Sequence, residues 1–424
     1  PVFTHAASAE LAEIVWRDSV RLSVYDGEPL YDEEGVARTV QRFQPLRYGQ
    51  EAEVGGMKIR FFDAGHILGS AHVVLEAGNQ RLLFSGDLGP DEKAYHPDPD
   101  APEGYDYIVS ESTYGGRDRE DYTLEGRRAS LRKELKAGLE RGGNVVIPAF
   151  AVERSQELLN DIAVLLNRRE IPECTDYMDS PLDRKVTEVF ISHAAELSDV
   201  EVDEKQLFRH PSFRVVQSVD ESKAINQVTR GAIIISASGM ADAGRIKHHL
   251  MNNIWRPEAT VLVVGYQAPG TLGSVIARGT KDVRIHGNEF MVRATIRQIG
   301  NYSAHADQRE LGDWILERAP VVGSLFLNHG ENKSRQALRD HLVERGFDAQ
   351  KVVLPAFDER FDLVAGTARS KGRVAERIPD TTLERDWHTD FAALTVALRQ
   401  RLEAAKDGAE RRELLASLQT ALEK

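Results

Sequence analysis

Five short segments of this chain combine residue types that bind metals or move protons. Asp63-Ala64-Gly65-His66, Phe84-Ser85-Gly86-Asp87 and Glu111-Ser112-Thr113-Tyr114-Gly115 come early, and Tyr302-Ser303-Ala304-His305-Ala306-Asp307 and Leu327-Asn328-His329-Gly330 come late. Each follows an apolar, strand-like run. Open α/β sheets place their active sites at such strand ends. Three histidines (His66, His305, His329) and two acids (Asp87, Glu111) could converge there on one or two hard or borderline metal ions. Imidazole and carboxylate are a zinc-type donor set, and manganese is a credible substitute. With two such ions a site can activate water and neutralise charge on a phosphoryl group.

A further segment, Ser236-Ala237-Ser238-Gly239-Met240-Ala241-Asp242-Ala243-Gly244-Arg245, joins a strand to a helix start. Backbone N–H groups at a helix start can hold a phosphate, and small residues let the backbone come close. The alternative is an ordinary strand-to-helix turn. The Gly-Lys-Ser/Thr ending of a Walker loop is missing. Asp307 is placed to cap a helix beginning near Gln308. His72 belongs on the strand that follows His66. His248-His249 falls in an amphipathic helix, where surface or packing roles dominate, and His5 carries no signal.

The five segments resemble the metallo-β-lactamase superfamily, specifically its β-CASP branch of nucleic-acid nucleases, which includes the cleavage subunit of the mRNA 3′-end machinery. The resemblance covers roughly residues 1–360. It rests on GHILGSAH at His66, FSGDLG at Asp87, ESTYGG at Glu111, YSAHADQ at His305 and LNHGE at His329, in the family's order. It implies a zinc-dependent ribonuclease. Two ions would be expected, held in part by His66, Asp87 and His329, with Asp87 bridging them and serving catalysis. It makes His305 the general acid and Glu111 its partner. Segments similar to 236–245 occur in the family, which implies substrate contact by Ser238 and Gly239, with Ser303 a further phosphate contact. A histidine at the position of His329 accompanies the RNA processors, whereas the DNA-repair branch tends to carry valine.

One family element has no counterpart. Members carry His-x-His-x-Asp-His upstream of the His66 segment, and no such string occurs in these 424 residues. The opening Pro1-Val2-Phe3-Thr4-His5-Ala6-Ala7-Ser8-Ala9-Glu10-Leu11 resembles the family segment that follows it. The expectation is therefore a remainder of a longer protein, with a natural pseudo-enzyme as the rival. His66, Asp87 and His329 alone under-coordinate a metal pair, so these residues by themselves are expected to bind metal weakly.

Composition bounds the rest. With 424 residues there is room for two domains and an appendage. The 41% hydrophobic and 29% charged content is ordinary for a globular protein, and no run approaches a membrane span. A single cysteine, Cys174, rules out an internal disulfide and fits a reducing, cytoplasmic setting. The net charge of −13 disfavours nucleic-acid binding over the whole surface. Local basic clusters remain at Arg127-Arg128 with Arg132-Lys133, at Arg154, at Arg168-Arg169 and at Arg245 with Lys247, each read as a solvated helix face.

The elements that must position these residues follow from periodicity. Strands are expected at 57–62, 73–76, 81–85 and 105–111, then strand–helix units from about 117: a strand at 143–148 with a helix at 152–166, a strand at 232–236 with a helix near 242–251, and a strand at 260–265 with a short helix after Gly270. Val283 to Ile299 reads as a hairpin turning at Gly287-Asn288, and 324–327 as a strand followed by a helix from Lys333. The fold class is α/β: a partial metallo-β-lactamase αββα sandwich (1–116 and 301–364), an inserted β-CASP parallel α/β domain (117–300) and a C-terminal helical hairpin (365–424). The hairpin expectation rests on apolar stripes at Trp387, Phe391, Leu394, Leu398 and Leu402, and at Leu414, Leu415, Leu418 and Leu422. Those stripes pack on their own core or join two copies as a homodimer. Two alternatives to the ribonuclease stay open: an inactive scaffold that binds RNA or a partner, and a lactamase-fold hydrolase of small esters. Endonuclease and 5′-exonuclease action are both compatible with the sequence.

Overall fold

A computed structural model describes residues 1–23, 30–119, 123–197, 208–268, 270–364, 366–373, 398, 401–402, 405 and 407–422. It is built around two sheets. The first has seven strands in the order Val352–Val353, Val321–Leu327, Tyr105–Ser110, Gln80–Phe84, Ala71–Ala77, Met57–Asp63, Glu51–Val54. The last four of these pair antiparallel, while Gln80–Phe84, Tyr105–Ser110, Val321–Leu327 and Val352–Val353 pair parallel. Met57–Asp63 is two antiparallel steps from Gln80–Phe84, so it runs the same way. The carboxyl ends of Met57–Asp63, Gln80–Phe84, Tyr105–Ser110 and Val321–Leu327 therefore all emerge along one edge. His66, Asp87, Glu111 and His329 follow those four ends.

One face of this sheet packs against the helices Gln308–Glu317 and Asn332–Glu344 through Trp314, Ile315, Leu338 and Leu342. Asp307 caps the first of them with a capping box to Glu310, as its position before Gln308 predicts. The other face carries an antiparallel hairpin, Glu359–Val364 with Thr367–Arg373, that buries Phe361, Leu363 and Ala368 against Leu82, Tyr107 and Phe326. The Tyr107 hydroxyl reaches the carbonyls of Val364 and Thr367. The chain after 364 thus begins as a strand on the first unit rather than as a helix, paired with the strand just before it and held by the hydroxyl of the distant Tyr107. Further on, the helix Gly408–Leu422 carries Leu414, Leu415 and Leu418, and Leu415 is 46% exposed. The Trp387, Phe391 and Leu394 part of the expected hairpin lies outside the described residues.

The second sheet has six parallel strands in the order Phe213–Val215, Thr175–Met178, Ala232–Ser236, Val145–Pro148, Thr260–Val264, Thr295–Ile299. Its three central strands, Ala232–Ser236, Val145–Pro148 and Thr260–Val264, are buried on both faces, as a parallel sheet covered by helices requires. Leu158, Leu159, Ile162 and Leu165 of the helix Arg154–Asn167 pack on one side, and Ile246 and Leu250 on the other. The expected hairpin over 283–299 is shorter than its sequence suggests. Asp282–Ile285 pairs with Asn288–Met291, but Thr295–Ile299 leaves to join the parallel sheet. The N–H groups of Arg293 and Ala294 donate to the Ile254 carbonyl, and that of Thr295 to Ala259, which redirects the chain.

Of the basic clusters that read as solvated faces, Arg127, Arg128 and Arg154 are internal, while Arg132, Lys133, Arg168 and Arg169 are exposed. Arg127 and Arg128, both buried, each place Nε 3.0 Å from the buried Asp161 carboxylate, and the Tyr302 hydroxyl donates to the same group at 2.7 Å. Arg154 is buried beside Glu157, and Arg245 reaches the buried Asp179 at 2.6 Å. Arg132 and Arg168 pair on the surface with Glu170 and Glu125. The acids that neutralise them lie mostly on other elements, so charge runs along the sequence did not reveal them.

Candidate metal centre and catalytic cleft

The loop after Met57–Asp63 is tight, because the Asp63 carboxylate accepts from the Gly65 N–H and Ser70 Oγ accepts from the His66 and Ile67 N–H groups. His66 Nδ1 lies 2.8 Å from the Ala304 carbonyl. A carbonyl can only accept, so that contact puts the ring proton on Nδ1 and leaves Nε2 as a free lone pair. Burial, with the charges of Lys93 and His305, pushes His66 down to about 3. It is therefore neutral at ordinary pH, as a metal ligand must be. Its Nε2 faces Asp87 Oδ2 at 3.9 Å.

Asp87 lies between two histidines. Its Oδ1 is 2.9 Å from Nδ1 of His329, an exposed ring at the mouth of the site. Burial, reinforced by the Glu111 charge, raises its carboxyl above the usual range. His329 sits at φ 44° at the end of its strand, a left-handed turn residue in a region where histidine is enriched. Gly330 follows where a Cβ would meet the Ser112 carbonyl at 2.5 Å, so only glycine allows the two loops to touch.

Glu111 and His305 come from different sheets and meet at 3.1 Å, Oε1 to Nδ1. Burial works to raise the Glu111 carboxyl, but His305 and the N–H groups of Thr113 and Leu88 outweigh it and hold it below the ordinary value. The His305 ring lies 4.5 Å from that of His66 and 5.9 Å edge-on to Tyr114. Ser303 Oγ accepts from the His305 N–H and bonds the Tyr114 hydroxyl.

The donors fit a metal. Donor atoms of His66, Asp87 and His305 all lie within 4.8 Å of one another, as do those of Asp87, Glu111 and His329. Asp87 belongs to both groups. The ring engaged at Nδ1 by a carbonyl, with Nε2 turned to a carboxylate, is the arrangement that orients a metal-binding histidine.

His66, His305 and His329 line a cleft of about 690 Å³ between the two sheets, whose walls also include Tyr114, Arg117, Phe150, Arg154, Met240 and Tyr266. All five residues expected at the centre are brought together, and Ser303 joins them. Ser238 and Gly239 do not line the cleft. Ser238 Oγ accepts from the Ala243 N–H, and Gly239 lies under the Phe150 ring, where a Cβ would meet it at 2.7 Å. Met240 is the part of that loop that reaches the cleft wall.

Sequence reasoning missed a buried ionic cluster behind His66. Glu153, at φ 73° just before the helix Arg154–Asn167, accepts from the Leu68 N–H at 3.2 Å, from Lys93 at 3.1 Å and from His96 at 2.8 Å. Lys93 also donates to the His66 carbonyl. All three side chains are buried. Nothing in the local sequence pairs Glu153 with residues some sixty positions earlier; a charged residue just before an apolar helix was the one available sign.

Burial would raise Glu153, but His96 and Lys93 hold it well below the usual carboxylate range. A depressed carboxylate stabilises the fold above its unfolded value of about 4.3, and that stability is lost as pH falls toward the folded value. Removing it leaves the buried Lys93 without a counter-charge and His96 without its acceptor. Glu153→Gln is therefore expected to lose about 3–5 kcal/mol in urea unfolding at pH 7. The gap to wild type should narrow below pH 4. A loss under 1 kcal/mol would show that the cluster does not hold the two units together.

Comparison with known proteins agrees with this geometry. The family pattern described as Beta-Casp domain matches residues 155–276, and that of the Zn-dependent metallo-hydrolase RNA specificity domain matches 289–355. A protein named as a ribonuclease of Thermus thermophilus is 36% identical over 363 residues, spanning 85% of this chain and 81% of that one. An RNase J-like protein of Methanocaldococcus jannaschii is 30% identical over 327 residues, covering 76% of this chain and 75% of its own. The transcription termination factor FttA of Methanosarcina mazei is 28% identical over 352 residues, and the match spans 79% of this chain but 55% of the longer factor. The chain belongs to the β-CASP branch of the metallo-β-lactamase superfamily.

Proposed function

We propose that this β-CASP protein hydrolyses RNA phosphodiester bonds in the cleft between its two sheets. The observation that carries the reading is the pair of buried Glu111 and half-buried His305 set against Asp87, which itself lies between His66 and His329. The names of its relatives, two of them ribonucleases, and the RNA specificity domain at 289–355 point to the same substrate. A cytoplasmic location belongs to this reading; among the described residues no helix is long and apolar enough to cross a membrane.

His66, Asp87 and His329 would hold the metal, two zinc ions in this reading with manganese as a substitute. When bound, the metal supplies an activated water and a counter-charge for the phosphoryl oxygens. The chain's own residues do the rest. The Ala304 carbonyl fixes the His66 tautomer so that Nε2 faces the centre. Glu111 accepts the Nδ1–H of His305, which leaves Nε2 to carry a proton to the leaving ribose oxygen. The Glu111 carboxylate also stabilises the imidazolium before transfer. Ser303, held by the His305 N–H and the Tyr114 hydroxyl, is placed to touch the phosphate, and Met240 takes the place of Ser238 and Gly239 as the loop's contact. Three donors are few for a metal pair, so metal held by these 424 residues alone is expected to be weak.

The test is cleavage of a labelled RNA by the protein purified from its host, with metal content measured beside it. Cleavage should stop on chelation. His329→Ala should lose metal and activity together. His305→Ala should keep the metal but lower kcat by about 10²–10⁴-fold. RNA bound but never cut, with binding unchanged in His329→Ala, would favour the scaffold; turnover of a short ester but no RNA would favour the small-substrate hydrolase. Self-association through the leucines of Gly408–Leu422 belongs to the same proposal, and a molecular mass that stays monomeric at every concentration would remove it.

A further inference from the structure

His72 is a fully buried histidine to which the site described above gives no part. It lies on the strand Ala71–Ala77, as its spacing from His66 places it, and stands opposite Phe62 on the neighbouring strand. Its ring turns to the helix-covered face of the first sheet and packs on Trp314 of Gln308–Glu317, with centroids 4.7 Å apart. Its Nδ1 bonds the Ser85 carbonyl. A carbonyl can only accept, so Nδ1 carries the proton. Nε2 is buried and has no hydrogen-bond partner among the described residues. Burial, with Arg318 nearby, pushes the ring down to about 4 despite the bond to Ser85. The ring is therefore neutral at ordinary pH and has that one N–H to give. Burying a polar group is costly unless it is bonded, so the bond to Ser85 is what histidine gains here over a phenylalanine of similar shape.

That carbonyl stands at the root of the turn that assembles the site. Gly86 follows at φ 59°, and a Cβ on it would meet the Ala71 carbonyl at 2.7 Å, so the turn lies directly against the strand that carries His72. Ser85 Oγ accepts from the Glu111 N–H at 2.9 Å. The Leu88 N–H donates to the Glu111 carboxylate at 2.5 Å, and the Leu88 carbonyl accepts at 2.7 Å from the N–H of Ala306, next to His305. Asp87 lies between Ser85 and Leu88. This one turn thus sets Asp87, Glu111 and the His305 segment relative to one another, and His72 holds it from behind at its first carbonyl.

We propose that His72 is a positioning residue for the metal centre: its Nδ1–H anchors the Ser85 turn and so keeps Asp87 and Glu111 in place against His305. It touches neither metal nor substrate. The proposal rests on the metal-dependent hydrolase reading and adds to it a residue outside the five expected at the centre.

Two substitutions separate anchoring from packing. His72→Phe keeps a ring against Trp314 and removes the donor. His72→Asn gives up the ring but can place an amide N–H where Nδ1 stood. A residue that only fills space predicts that His72→Phe matches wild type and His72→Asn is the weaker in every measurement. An anchor reverses that order at the site. In the protein as its host makes it, His72→Phe should lower kcat on a labelled RNA, and the affinity for zinc measured by competition with a chelator, each by about 10–100-fold, with KM unchanged. His72→Asn should recover most of both while unfolding at lower urea than His72→Phe, because the smaller side chain leaves a cavity. Nitrogen NMR of the labelled wild-type ring needs no variant: it should show the proton on Nδ1, and a proton on Nε2 instead would overturn the proposal. Wild-type kcat and zinc affinity in His72→Phe would also overturn it, with the hydrolase reading left standing. A wild type that neither holds zinc nor cuts RNA would remove the reading and the proposal together.

Discussion

The site depends on two buried carboxylates carried by one helix of the inserted unit. Glu153 stands just before Arg154–Asn167 and Asp161 two turns along it. Glu153 takes the Leu68 N–H, Lys93 and His96 from the first unit, and so holds the loop that presents His66. Asp161 takes Arg127, Arg128 and the Tyr302 hydroxyl, and so holds the loop that presents Ser303 and His305. A buried carboxylate is costly unless it is paired and hydrogen-bonded, and each of these is paired more than once. Two loops from different sheets are therefore fixed against the same rigid helix. Removing either acid would leave buried donors without the acceptor they share, which is strongly destabilising.

Within that frame, burial and neighbouring charge divide the labour. The same desolvation pushes His66 down and Asp87 up, while hydrogen bonds keep Glu111 low despite its burial. His66 is thus a neutral donor and Glu111 a lasting anion for His305 to lean on. Asp87, more open than Glu111 and facing both His66 and His329, is the one carboxylate able to serve two partners. These assignments follow from what each group touches, and they need both units to be in place at once.

Much of this was legible in the residues. Four of the five site residues follow strands of a single sheet that all end along one edge, and apolar alternation marks those strands. Asp307 capped its helix as its spacing indicated. What sequence could not show were partnerships over long distances. Glu153 with Lys93 and His96, and Arg127-Arg128 with Asp161, look like ordinary surface charges until the fold brings them together. Thr295–Ile299 looked like the second arm of a hairpin because its true neighbour, Thr260–Val264, lies over thirty residues earlier. The chain past Val364 looked helical from the apolar stripes that begin at Trp387, whereas Thr367–Arg373 folds back on the strand Glu359–Val364 and is held by the distant Tyr107. Ser238 and Gly239 had the right composition for a phosphate loop, but the Phe150 ring occupies the space above Gly239, and only the fold reveals that.

The most direct test of the account is anomalous scattering at the zinc edge from crystals of the protein as its host makes it, grown with zinc. The account predicts peaks against the Asp87 carboxylate, between it and His66 on one side and His329 on the other, with the Glu111–His305 pair beside them and free of metal. Peaks elsewhere, or on Glu111 and His305 instead, would contradict the assignment of donors and acid on which the account rests.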